Sequence, residues 1–245
     1  MTIQPVFEQD IKQHAIWKSL VLHLIPGALI LAFVAVAIPF LKNMGLPLRF
    51  GILMGIFFIL IPFELGILFY EGKKRNGKFS LNGIVVYHEK ISIKQYLLWV
   101  PLLLSWSVAI FLLSSPFQVY LSKTVFSWVP AWFIVSDAGY SKTILIVMVI
   151  LYGIGNVAAA IVEELYFRGY LLPRISRLKG WAPLVNAVLF AIQHFMAPWQ
   201  QLSIILGILP QVYVVSKKRN IFLGIIAHSL LNFLSSISLA LSIFG

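Results

Sequence analysis

The stretch TILIVMVILYGIGNVAAAIVEELYF, Thr143 to Phe167, runs for 20 residues to Val162 without a charged side chain and then meets two carboxylates, Glu163 and Glu164. About 20 apolar residues are what a helix needs to cross a bilayer. Six more runs of this kind lie at about 20–41, 48–70, 95–121, 181–197, 199–216 and 220–244. All are expected to be helical, because an open strand leaves backbone donors and acceptors unpaired in lipid. The sequence therefore predicts an all-α, polytopic transmembrane helical bundle of about seven spans, with six to eight as the range. The fifth and sixth runs are separated by almost nothing and should form a tight hairpin. Pro26, Pro39, Pro62 and Pro101 mark kinks or helix ends.

Composition agrees. Of the 245 residues, 60% are hydrophobic and 11% charged, and the mean hydropathy is +0.93. A soluble domain of this size needs more charge to cover its surface. The net charge of +11 raises a nucleic-acid reading, but the Lys and Arg residues sit between the apolar runs, where membrane proteins keep them. No nucleic-acid partner is expected. The absence of Cys excludes disulfides, thiolate metal sites and a Cys nucleophile.

With seven spans, 15 of the 19 Lys and Arg residues fall on the side of the N-terminus: Lys12 and Lys18, then the groups within 73–94, 168–179 and 217–219. This bias predicts a cytoplasmic N-terminus and an external C-terminus. Ala35-Val36-Ala37 has the small-x-small look of a signal-peptide cleavage site, but the run from Leu20 to Leu41 is long enough to be a retained first helix. Residues 71–94 are expected to form a small cytoplasmic hairpin around Asn82-Gly83. Residues 122–142, with Phe126, Trp128, Trp132 and Phe133, read as an aromatic interfacial segment. The chain divides into 1–142, an N-terminal region of three helices with these two connections, and 143–245, a core of four helices.

Ionisable groups at membrane depth are costly and usually retained for a role. Of the eight acidic residues, Glu64, Glu163 and Glu164 lie in apolar runs; of the five histidines, His194 and His228 lie deep in such runs and His23 near the start of one. Glu164 and Arg168 are four apart and share a helix face, so they should pair. Glu163, about 100° around the helix, is the freer carboxylate and the candidate general base. The small residues Gly153, Gly155 and Ala158–Ala160 permit close helix contact or leave space for a substrate. Phe190-x-x-x-His194 lies on the fifth run; with the turn between runs four and five expected near Gly180, it stands at a depth matching Glu163 if the fourth helix continues past Arg168 and bends near Pro173. His228 and Asn232, four apart on the last run, can both donate hydrogen bonds, as an oxyanion needs. Glu64 has no assigned partner and either pairs with another helix or lines a cavity, a structural role being expected; Gln193 and Gln211 either line the site or make plain interhelical hydrogen bonds, the second being the preferred reading.

Glu163-Glu164-x-x-x-Arg168, Phe190-x-x-x-His194 and His228-x-x-x-Asn232, in this order on three apolar runs, resemble the motifs of the CPBP family, the CAAX protease and bacteriocin-processing intramembrane endopeptidases. The resemblance covers roughly residues 143–235. It implies a glutamate-type protease in which Glu163 with His194 activates a water, His228 with Asn232 stabilises the oxyanion, and Glu164 and Arg168 support them. No cofactor and no metal are implied. The partners implied are membrane lipids and a peptide or protein substrate, possibly lipidated. Short loops and a compact chain suit a bacterial member in the cytoplasmic membrane.

Two other readings compete. His194, His228 and Glu163 or Glu164 could make a two-His, one-carboxylate zinc site, although the helical His-Glu-x-x-His arrangement is absent. Intramembrane Glu and His also serve proton-coupled transport, so a non-catalytic transporter, scaffold or immunity protein is the alternative of a different class.

Overall fold

The computed structural model describes residues 11–130 and 136–245. It is all-α. The helices are α1 (Ile16–Asn43), α2 (Leu48–Gly55), α3 (Ile61–Asn76), α4 (Ile93–Lys123), α5 (Lys142–Glu163), α6 (Ala182–Ile192), α7 (Gln201–Lys218) and α8 (Ile221–Phe244). A π-helical turn, Ile56–Leu60, joins α2 to α3. A second π-helical segment, Glu164–Leu171, continues α5 and leads into the 3-10 segment Leu172–Trp181.

Among the described residues, five stretches are long and apolar enough to cross a membrane: Ile16–Asn43, Leu48–Asn76, Ile93–Lys123, Lys142–Ile192 and Ile221–Phe244. The difference from the expected seven lies in runs four to six. The fourth run extends past Arg168, through Pro173, and the chain turns back at Lys179, whose φ is 53°, next to the turn expected at Gly180. The returning α6 has only 11 residues, or about 16 Å of helix, roughly half of a bilayer core. Irregular backbone at 193–200 carries the chain onward, and the 18-residue α7 brings it back.

This irregular stretch lies deep in the bundle. A Cβ on Gly27, well inside α1, would collide with the Gln193 carbonyl, so glycine is what admits the loop. Farther along, Met196 packs on the buried pair Val34 and Ile38 of α1. The stretch satisfies much of its own backbone through bonds from Ala197 N–H to His194 O and from Gln200 N–H to Ala197 O. Non-helical backbone at membrane depth is tolerated where protein buries it or where it lines a cavity, and here it does both.

The connections sort into two ends of the bundle. At one end His14 N–H donates to Arg174 O, Arg174 Nη1 to Ile84 O, Val86 N–H to Gly169 O and Ile221 N–H to Tyr87 O. Four separated pieces of chain therefore meet there, and these are the pieces that carry most of the Lys and Arg residues. Arg168 and Arg174 are exceptions to a simple loop-charge reading, since both are buried. At the other end Arg49 Nε contacts both Asp137 carboxylate oxygens, at 3.0 and 2.9 Å. The expected hairpin near Asn82-Gly83 is instead a tight turn with one isolated bridge, Asn82 to Val85, held by Arg75 donating to Gly83 O at 2.7 Å. In the aromatic segment, Phe126 and Trp128 are tilted rings 6.4 Å apart; Trp132 and Phe133 lie outside the described residues.

Two predictions follow from the placement of the ends. In this Cys-free chain, single Lys78→Cys, Arg177→Cys and Lys217→Cys variants should react with an impermeant thiol reagent from one face of a sealed vesicle, and Lys123→Cys and Lys142→Cys from the other; mixed accessibility within either group would contradict the arrangement. The N-terminal segment carries its own titration. Burial, with Lys18 and Arg174 nearby, pushes the His14 imidazole down to about 3, so His14 is neutral while docked. A released segment takes up a proton below about 6.5. Docking should therefore be pH-independent above that value and weaken as pH falls from it toward about 3. The protection of amides 11–15 relative to their intrinsic exchange rates should fall between pH 7.5 and about 5, and His14→Phe should abolish that fall.

Candidate active site

Arg168 organises this region. It is wholly buried, its guanidinium lies 4.0 Å above the centre of the Phe190 ring, and its Nε stands 3.5 Å from Glu164 Oε1. The expected i, i+4 pair is thus present, on π-helical rather than α-helical backbone. The same Glu164 oxygen accepts from Gln211 Nε2 at 3.0 Å and meets His228 Nδ1 at 3.0 Å. Gln211, expected as a plain interhelical bond, is one, and its partner is this carboxylate; it also donates to Gly224 O at 3.4 Å. Glu164 is therefore a fixed acceptor shared by α7, α8 and the π segment.

Glu163 takes the other path. The residue ends α5, its carboxylate lines a cavity, and its Oε2 lies 3.8 Å from His228 Nε2. One imidazole thus bridges the acidic pair: Nδ1 serves Glu164, and Nε2 turns toward Glu163 and the open space. The sequence paired Glu163 with His194, whereas the ring in ion-pair contact with it is His228.

The cavity has a volume of about 570 Å3, and its wall also includes His194, Asn232, Asn156 and Gln193. His194 lies two residues beyond α6 rather than on a helix as expected. The F-x-x-x-H spacing has a local cause. Four residues back from His194 is a carbonyl near the end of α6 with no further helical turn to serve, and His194 Nδ1 donates to it, Phe190 O, at 2.8 Å. The bond satisfies a helix-end acceptor and leaves Nε2 as the ring's free, lone-pair nitrogen. Phe190 also stands edge-on to both imidazoles, with centroids 5.0 Å from His194 and 6.0 Å from His228. A single aromatic ring thus spaces the arginine and both histidines, a role that its place in the motif did not reveal. On α8, Asn232 donates one N–H to Asn156 O at 3.0 Å and has a second to offer.

Three residues differ from or extend the sequence reading. Gln193 is not an interhelical bond: its buried Oε1 has no hydrogen-bond partner among the described residues, and it lines the cavity. Glu64, unplaced by the sequence, is wholly buried within Coulombic reach of Glu163 and Arg168. His23 sits behind the site, its Nδ1 2.7 Å from Ser19 O and its Nε2 accepting from Asn186 Nδ2 at 3.1 Å. Among the described residues no group of three or more His, Cys, Asp and Glu side chains is disposed to hold a metal ion.

Residues 142–234 match a protein-family model described as type II CAAX prenyl endopeptidase Rce1-like. Neither a curated protein nor a solved structure matches the chain.

The close approach of α8 to the acidic pair is testable through Gly224. A Cβ there would collide with Glu164 Oε2 and stand 3.0 Å from a Val215 methyl. Gly224→Ala should displace the Glu164 carboxylate and with it His228, costing about 1–3 kcal/mol of stability. Gly66→Ala, with nothing near its Cβ, is the control and should leave thermal stability in detergent within about 0.5 kcal/mol of the unaltered chain.

Proposed function

Because residues 142–234 form an Rce1-like domain of the CPBP family, we propose that this integral membrane protein is an intramembrane endopeptidase that hydrolyses peptide bonds of a membrane-associated, lipidated protein or peptide. The observation that carries the reading is the Glu163 carboxylate at the wall of a cavity, 3.8 Å from His228 Nε2, in a bundle where a charged side chain is otherwise costly.

The reaction proceeds by general-base hydrolysis. Glu163 accepts a proton from a cavity water as the water oxygen attacks the scissile carbonyl carbon. His194, with Nδ1–H committed to Phe190 O, offers Nε2 to the same water as a second acceptor. The carbonyl π pair moves onto oxygen, giving a tetrahedral oxyanion. The free N–H of Asn232 and, when protonated, His228 Nε2 donate to that oxygen. Glu163 then passes its proton to the amide nitrogen, the C–N bond breaks, and a carboxylic acid and an amine leave. Glu164 and Arg168 do not touch the reacting atoms; Glu164 fixes the His228 ring by accepting from Nδ1, and Arg168 fixes Glu164.

The remaining assignments belong to the same proposal. Residues 143–245 carry the polar machinery, and 1–142 supply the helices that close around it. The stretch from α6 to Gln200 counts as a fifth crossing and α7 as a sixth, giving seven in all. The N-terminus and the Lys- and Arg-rich connections then face the cytoplasm of a bacterial cell.

In a reconstituted assay with a farnesylated peptide ending in a CAAX-type tetrapeptide, Glu163→Gln should lower kcat by about 10³-fold at unchanged expression. Full cleavage by that variant would remove Glu163 from the chemistry, and with it the proposal. Strong chelators should leave the unaltered chain's rate unchanged; their abolishing it would favour a two-His, one-carboxylate metal site.

A further inference from the structure

Glu64 stands outside the family-matched stretch and outside the reaction as written, yet it is among the most constrained side chains in the molecule. It enters α3 directly after the π-helical turn Ile56–Leu60. π-helical turns inside helices occur frequently at functional sites. Glu64 is wholly buried, and neither carboxylate oxygen has a hydrogen-bond partner among the described residues. The nearby Tyr166 hydroxyl is already committed, donating to Leu22 O at 2.8 Å.

Arg168 has the complementary deficit. Its ion pair with Glu164 is 3.5 Å long, and its Nε, Nη1 and Nη2 all lack hydrogen bonds to the described residues. A guanidinium carries five N–H donors, whereas an ionised carboxylate only accepts. α3, which carries Glu64, packs on the π segment that carries Arg168, and Asn186 Oδ1, on α6, is a further buried acceptor without a partner among the described residues. Unpaired buried donors and acceptors in one region are the usual setting of an ordered internal water, which makes about three hydrogen bonds of this kind.

Resting on the endopeptidase reading, we propose that Glu64 is the second carboxylate partner of Arg168, joined to it through buried water, and thereby a positioning residue for Glu163. Arg168 is then held by carboxylates from two elements, Glu164 on the π segment and Glu64 on α3. α3 also packs against α5, which ends in Glu163, so the Glu64 side chain and the water it holds bear on the setting of the proposed general base. Glu64 thus couples the N-terminal helices to the centre that 142–234 builds.

The test uses the full chain in detergent and in proteoliposomes. Glu64→Gln keeps the shape and removes the titratable carboxyl; it should fold with a Tm within about 3 °C of the unaltered chain. With the farnesylated peptide its kcat should fall about tenfold or more while KM stays within about twofold, and the pH of half-maximal kcat should move by about half a unit or more. Glu64→Leu and Arg168→Met should each lower Tm, and the double variant should be at least about 3 °C more stable than their sum. Additive Tm losses, or an unaltered kcat and pH profile in both Glu64 variants, would overturn the proposal. The Tm cycle needs no substrate. If the unaltered chain cleaves no farnesylated peptide, the endopeptidase reading fails, while coupling in the cycle still supports the Glu64–Arg168 link and additivity still overturns it.

Discussion

A guanidinium with no solvent exposure, inside a bundle surrounded by lipid, is the constraint from which the rest of the site follows. Breaking a buried ion pair by removing one partner costs about 3–5 kcal/mol, so Arg168 cannot stand without Glu164 nearby and an aromatic face beneath it. Phe190 supplies that face at 4.0 Å. Once Glu164 is fixed by Arg168, it becomes the acceptor that orients His228 Nδ1 and Gln211 Nε2. Phe190, fixed beneath the arginine, in turn sets the edge-on positions of His194 and His228. Four elements are brought to one point by a charge that is never in contact with the cavity's contents.

Backbone geometry does the complementary part. Had α6 continued as a regular helix, the Phe190 carbonyl would accept from the N–H of residue 194. Because α6 ends at Ile192, that carbonyl is free and takes the His194 Nδ1 proton instead. The same interruption opens space against α1, where Gly27 lets the Gln193 carbonyl come close. Ending a helix inside the bundle thus makes both an imidazole held by its Nδ1 and the cavity that His194 lines. The cost of irregular backbone at that depth is kept low by its local hydrogen bonds and by the walls around it.

The sequence carried the helical architecture and the Glu164–Arg168 pair because both follow from local spacing: apolar runs of bilayer length, and an i, i+4 interval that survives even on π-helical backbone. It did not carry the end of α6, since Ile192 to Ala197, although it holds Gln193 and His194, contains no strong helix breaker until Pro198. That is why a full fifth helix was expected and a short one followed by irregular backbone was found. Nor could spacing show that His228 rather than His194 forms the ion-pair contact with Glu163, because that depends on how α8 packs against α5. Glu64 was visible as an oddity, a carboxylate in an apolar run, but its neighbours are about 100 residues away in the chain, and no local rule connects them.

The division of labour within the cavity bears on what the site can select. The cavity groups proposed to act in the reaction, Glu163, His194, His228 and Asn232, all come from the family-matched stretch. Much of its apolar wall comes from elsewhere: Ile30 on α1, Ile52 on α2, Ile56 and Leu60 at the π turn, and Phe111 on α4. Binding pockets generally draw orientation from a few polar groups and most of their contact area from apolar ones. In the proposed reaction the bond-breaking chemistry is therefore shared with any chain bearing the three motifs. Discrimination between acyl chains or peptide side chains falls to the first four helices. Apolar contacts discriminate by only about 1–3 kcal/mol per methylene, so a wall of this composition favours a class of apolar ligand over others more readily than it distinguishes members of that class. The Glu64–Arg168 link, if present, makes the two halves interdependent, because α3 would then hold part of the wall and part of the charge balance at the same time.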